Sequence, residues 1–228
     1  MLIIEESEEK KQIVPITVAN EILFVFVLLT LFFVPLIPVP YHHIAYNILF
    51  TTIFLAGTQL ISKNKTLTMA IGITAIAFGW ISIAIDFKVI IGISKVINVV
   101  LFIFIVLDLV KQVSRAKKVS PKIILESVNG YLLIGMVFSV LVAFLMSIDP
   151  GSFSFDKINV GNIQHEIPYH QCIYFAFITL TTVGYGDVVP LTPPARSLAM
   201  LIGVTGQLYI ALVIALLVGK YISQKGVQ

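Results

Sequence analysis

Five stretches of this chain run 18 to 23 residues without a charge, at 22–39, 44–61, 67–85, 127–148 and 197–219, and a sixth, 89–107, is broken only by Lys95. A hydrocarbon layer about 30 Å thick takes about 20 apolar residues as helix. Lipid offers no partner to an open backbone, and no alternating barrel pattern is present, so all six runs are read as helices. Composition agrees: 58% of the 228 residues are hydrophobic and 12% charged, with mean hydropathy +1.00, where a soluble domain carries about 25% charged residues. A water-soluble enzyme, a disordered tail and a coiled coil are excluded. The net charge of +3 and pI near 8.9 do not point to nucleic acid, because the basic residues are divided among short loops. Cys172 is the single cysteine and forms no intrachain disulfide. The opening MLIIEESEEKKQ is acidic and does not read as a cleaved signal peptide.

Lysine and arginine near the spans mark the cytoplasmic side. With the N-terminus inside, eleven of the fifteen basic residues fall inside: Lys10, Lys11, Lys63, Lys65, Lys111, Arg115, Lys117, Lys118, Lys122, Lys220 and Lys225. Both termini are then cytoplasmic, in a multi-pass protein of the plasma (inner) membrane. The first helix is expected to end early at Pro35, Pro38 and Pro40. The outer connections are short except for the 48 residues 149–196, whose middle holds an apolar dozen, 169–180, too short to span. With Pro168 before it, this dozen reads as a re-entrant half-helix. The run that follows, Thr182-Val183-Gly184-Tyr185-Gly186, is extended by composition. Extended backbone at membrane depth is tolerated only against protein or a water-filled path.

The segment Thr181 to Asp187, TTVGYGD, resembles the signature of tetrameric potassium channels. The order of outer helix, turret, half-helix, signature, proline-containing exit and glycine-bearing last helix over 123–228 is similar to that family's pore module. With the four preceding helices, the chain resembles a six-helix channel of the voltage-gated-like superfamily, and MSIDPGSF and TGQLYIALVIALLVGKY resemble its bacterial members. The fold this implies is all-α: six transmembrane helices, a re-entrant pore helix and a selectivity filter, with four subunits around one pore, since rings of carbonyls need four-fold closure. Its organisation is an N-terminal segment 1–17, a peripheral four-helix domain 18–110, a basic linker 111–122 and a pore domain 123–228. The resemblance makes the carbonyls of Thr182, Val183, Gly184 and Tyr185, with the Thr182 hydroxyl, the K+ ligands, puts Gly186 at the outer mouth, and sets Thr181, Asp187 and Tyr174 as filter support. Relatives brace the filter with two tryptophans; the matching positions here are Tyr174, which can donate to Asp187, and Phe175, which cannot. Where some relatives place a glutamate partner for that aspartate, this chain has Ile178.

A voltage sensor needs 3–4 charges per subunit, each worth about 2.3 kcal/mol per 100 mV. The fourth run offers only Lys88 and Lys95, so gating by voltage is expected to be weak or absent; Lys95 reads as a snorkelling lysine, with residual sensing by Lys88 and Lys95 as the alternative. In the last helix Gly206 is open to two readings, hinge or close packing. Below it Gln207, Ile210, Ile214 and Val218 follow helical spacing, and four copies of Ile214 or Val218 would make a dewetting gate. Lys111, Arg115, Lys117, Lys118 and Lys122 serve as a topology determinant or touch anionic lipid. His42, His43, His165 and His170 read as solvated loop residues, and Cys172 as a small packed one. No cofactor is expected apart from K+ ions in the filter. Two other readings stay open: a poorly selective cation channel, if the weakened brace lets the carbonyl rings deform, and a secondary transporter built on a broken helix.

Overall fold

Proline sets the first boundary. The computed structural model describes residues 18–60, 65–84, 88–116, 119–155 and 169–225. Helix α1 covers 18–32 and gives way to two 3-10 turns, Val34–Leu36 and Val39–Tyr41, which hold Pro35 and Pro40; proline removes the amide that an α-helix needs there. The chain then folds back as α2 (His42–Leu60), α3 (Lys65–Ala84) and α4 (Lys88–Arg115). The outer helix α5 (Pro121–Ile148) leads to the short strand β1 (Phe153–Ser154), and the half-helix α6 covers Tyr169–Leu180. Strand β2 (Val189–Pro190) and the long inner helix α7 (Pro193–Lys225) complete the order.

Among the described residues four stretches are long and apolar enough to cross a membrane: Val18–Leu36, Gly92–Arg115, Pro121–Ile148 and Pro193–Ser223. Helix α3 supplies a shorter apolar stretch, Thr68–Ser82. Helix α2 opens on two histidines and carries Asn47 and Gln59 within its 19 residues.

Several helices reach past the ends of their charge-free runs. Helix α1 is already helical at residue 18, four residues before Ile22, and its Asn20 is fully buried because partners on α5 take up its polar groups. Helix α4 runs on to Arg115, so Lys111 and Arg115 of the expected linker sit in its last turns, where positive charge meets the negative end of the helix dipole. Only a few residues separate it from α5, whose start is written in two residues: Ser120 caps Ile123 N, and Pro121 takes the first-turn position. Lys122 lies in the first turn of α5, and Lys117 and Lys118 lie outside the described residues.

The peripheral helices pack on the outer helix and half-helix of their own chain. Leu23 and Val27 of α1, Ile53 and Phe54 of α2, Leu101, Phe102 and Ile105 of α4, and Leu133 and Met136 of α5 form one continuous core. Edge-on and tilted rings then carry contact outward: Phe102 to Phe54 at 5.0 Å, Phe54 to Phe50 at 6.0 Å, and Tyr46 to Tyr169 of the half-helix at 4.9 Å. Such pairs contribute about 0.5–1.5 kcal/mol each beyond the area they bury.

Without a hydrophobic drive between helices in lipid, close backbone approach matters more. Gly57 of α2 provides one, since a Cβ there meets the Ile105 side chain. Gly57→Ala should be nearly neutral, because Ile105 Cδ1 can swing aside, whereas Gly57→Leu should wedge α2 from α4 and cost about 1–3 kcal/mol; thermal unfolding of both variants in detergent checks this.

Candidate functional site

The site begins where α6 runs out of helix. Thr181 N still donates to Phe177 O (2.9 Å) and Thr182 N to Thr179 O (3.1 Å), but Gly184 N reaches back to Ile178 O (3.1 Å) and the regular ladder ends. Beyond this point the backbone changes hand at alternate residues. Thr182 (φ 61°), Gly184 (φ 52°) and Gly186 (φ 81°) are left-handed, while Val183 and Tyr185 between them are not. Glycine enters that region freely. Threonine does so only at a cost of about 1–2 kcal/mol, so its surroundings must hold it there. Alternation of hand keeps successive peptide planes facing one way, amides to one side and carbonyls to the other, whereas a strand turns them alternately. The Gly184 amide faces the half-helix, and the whole segment from Thr181 to Asp187 is exposed in the single chain.

Two sets of contacts hold this segment from behind. Tyr174 Oη donates to Asp187 Oδ2 at 2.5 Å, and Asp187 Oδ1 accepts from Val188 N at 3.1 Å, so the pair considered from the sequence is in contact. Phe175 has no donor to offer but is buried edge-on against Phe153 at 4.8 Å. Phe153 lies on β1, which pairs antiparallel with β2 in the register Phe153 to Pro190 and Ser154 to Val189, while Leu191 N donates to Ser152 O at 2.9 Å. The outgoing chain is thereby pinned to the start of the turret. At the other end Tyr131 of α5 donates to Leu180 O (3.2 Å), taking one carbonyl at the end of α6. The remaining dipole there presents partial negative charge to whatever lies beyond. Tyr131 and Phe153 were invisible in the sequence, where nothing separates them from other aromatics in apolar runs.

Helix α7 lies against α6 through Gly206, where a Cβ would collide with the Leu180 carbonyl. Of the two readings for this glycine the structure displays close packing. At Gly203 a Cβ would meet nothing within 4 Å in the single chain. Gln207 Nε2 donates to Thr182 Oγ1 at 3.4 Å, joining α7 to the inner end of the left-handed run. Below it Ile210, Ile214 and Val218 are 38%, 55% and 50% exposed in the single chain. At the far end Lys220 Nζ donates to Val113 O (2.5 Å) and Ser114 O (2.8 Å) in the last turn of α4.

Other expected residues lie elsewhere. Lys88 and Lys95 are on α4 at its opposite end, and their side chains fall outside the described residues. His165 falls outside them too. His42 is not solvated: it is 5% exposed, its Nε2 donates to Ile37 O at 2.7 Å, and its ring meets that of His170 at 5.3 Å. The 3-10 turns after α1 fold this position inward. Cys172 is buried, as expected of a small packed residue. Among the described residues no group of three His, Cys, Asp or Glu is placed to hold a metal ion.

Residues 152–223 match a family model described as ion channel. The chain is 42% identical over 69 residues to the calcium-gated potassium channel TvoK of Thermoplasma volcanium, covering 29% of this chain and 20% of the relative. It is 29% identical over 91 residues to potassium voltage-gated channel subfamily A member 10 of Mus musculus (40% and 16%). It is 38% identical over 47 residues to potassium channel protein kcv of Paramecium bursaria Chlorella virus 1 (21% and 49%). The matched part thus spans from about a sixth to about half of these relatives. No solved structure matches. The ion-channel match and the relatives' names liken part of the chain to potassium channels, and the long apolar helices suit a membrane.

Gly203 and Gly206 of α7 should respond oppositely to alanine. Gly203→Ala should leave stability unchanged or raise it by up to about 1 kcal/mol, the helix-propensity difference, whereas Gly206→Ala should lower it by about 1–3 kcal/mol as the Leu180 carbonyl is displaced. Melting temperatures of the two variants in one detergent give the comparison.

Proposed function

We propose that four copies of this chain close around one axis as a potassium-selective channel, conducting K+ passively. The observation that carries the reading is the alternate-handed backbone from Thr182 to Gly186 at the end of a half-helix, with its Gly184 amide turned toward α6. In this reading the carbonyls of Thr182, Val183, Gly184 and Tyr185 and the Thr182 hydroxyl replace the water shell of K+. Gly186 closes the filter at the outer mouth, and Thr181, Asp187 and Tyr174 keep the ladder in place. The negative end of α6 favours a cation in the space beneath. Gln207, Ile210, Ile214 and Val218 line the inner path, with Ile214 or Val218 as the dewetting constriction.

Four copies are required because a ring of carbonyls needs four-fold closure. In that assembly Met200, Leu201, Val204 and Leu208 of α7, each more than half exposed in the single chain, face neighbouring copies or lipid. All six long helices cross the plasma membrane in this reading, with both termini cytoplasmic. Lys111, Arg115, Lys117, Lys118 and Lys122 then lie at the inner surface, within reach of anionic headgroups. Gating by voltage is weak or absent, because only Lys88 and Lys95 remain to move in the field.

Reversal potentials with K+ on one side of a planar bilayer and Na+ on the other test the reading. The expected value lies close to the K+ limit; a value near zero contradicts K+ selectivity, and coupled uptake without single-channel steps contradicts a channel. Gly184→Ala should abolish selective conduction, since a left-handed position takes a side chain badly and the four backbones converge there. Lys95→Gln should shift any conductance–voltage curve only slightly, and loss of a steep curve would show that α4 does sense the field.

A further inference from the structure

Where α1 meets α5, near the connection from α4, lies a polar cluster that the filter and gate do not use. Asn20, Glu126 and Asn129 are 0%, 1% and 0% exposed. Asn20 Nδ2 donates to Glu126 Oε1 at 3.2 Å, and Asn129 Nδ2 donates to the Asn20 backbone oxygen at 3.0 Å and to its Oδ1 at 3.4 Å. These partners fix both amides, because flipping either would set oxygen against oxygen. Two buried atoms are then left without a partner among the described residues, Glu126 Oε2 and Asn129 Oδ1. Both are acceptors, and they stand three residues apart on one face of α5.

A proton on Oε2 would neutralise the first and offer the second a donor one helical turn along α5. A carboxylate would leave two bare acceptors and a buried charge, each costly away from water. The charged groups acting on Glu126 from the described residues are Lys122 on its own helix and Asp108 on α4. Lys122 Nζ is 3.8 Å from Oε1, the oxygen already occupied by Asn20, and Asp108 adds like charge, its Oδ2 accepting from Gln112 at 3.0 Å. On α1 the charged neighbour is Glu21, which is exposed. A metal cation fits poorly, since hard cations take six or more oxygens and two are available beside an ammonium.

We propose that Glu126 is a proton-binding site, occupied when α1 is packed on α5, with the Oε2 proton donated toward Asn129 Oδ1. The pair closes the network from Asn20 across the seam. Release of that proton, outward past the partly exposed Lys122, leaves a buried carboxylate facing a carbonyl oxygen and loosens the contact between the peripheral helices and the pore's outer helix. The inference goes beyond the channel reading and does not depend on which ion is conducted.

Infrared spectra of the full chain in lipid bilayers test it. Wild type at neutral pH should show a carboxylic-acid carbonyl band, shifted in heavy water, that Glu126→Gln removes. Asn129→Leu, which keeps the acid and removes only its acceptor, should move that band in frequency, and this decides the matter should Glu126→Gln not fold. The melting temperature of wild type should fall as pH rises through the titration of the band, while that of Glu126→Gln stays level, because a group held neutral in the fold loses its contribution on ionising. Absence of an acid band that either variant alters, or Glu126→Gln melting well below wild type at neutral pH, overturns the proposal.

Discussion

A backbone polar group left open in hydrocarbon costs several kcal/mol, and that penalty governs nearly every feature of this chain. It makes the long apolar runs helical, ends α1 in hydrogen-bonded 3-10 turns at its prolines, and leaves one stretch, Thr182 to Gly186, that needs another solution. There the amide of Gly184 is answered by Ile178 O and that of Thr182 by Thr179 O. In the channel we propose, the carbonyls of the same run face the other way as a row of negative partial charge. The strain at Thr182 is held by α6 behind it, by Tyr174 on Asp187, and by Gln207 of α7 on its hydroxyl.

The half-helix and the run after it were legible because they break a strong rule: an apolar dozen is too short to span, and alternate glycines do not continue a helix. The structure places α6 on the same twelve residues. Elements whose limits are set by tertiary partners were not legible. The early start of α1 depends on Glu126 and Asn129, more than a hundred residues away. The late end of α4 depends on Gln112 bonding Leu60 O and on Lys220 reaching its last carbonyls. Likewise His42 reads as a loop residue until the 3-10 turns bury it, and hinge and packing cannot be separated at Gly206 until the Leu180 carbonyl is seen beside it. The two-residue strands β1 and β2 carry no pattern long enough to detect.

Peripheral helices and pore module belong together within one chain, joined at three levels. Near the turret Tyr46 of α2 meets Tyr169 at the head of the half-helix. At the opposite end of the bundle Asn20 of α1 is tied to Glu126 and Asn129 of α5. Beside the α4–α5 connection Lys220 of α7 grips the end of α4. The ammonium meets the negative end of the α4 dipole there, so any shift of that end pulls directly on the inner helix below the candidate gate. In the channel we propose, a charge-poor α4 is then still connected to the inner helix, and other forces on the bundle, such as lipid or protons, have a path to the same gate.

The central claim is that the carbonyls from Thr182 to Tyr185 face a common axis and hold K+. The most direct measurement is an experimental structure of the assembled protein in a K+ substitute that scatters anomalously, such as thallium. The account predicts a row of peaks on a four-fold axis, level with those four carbonyls and ending at the Thr182 hydroxyl. An assembly without four-fold symmetry, or peaks absent from that axis with the carbonyls turned away from it, would contradict it.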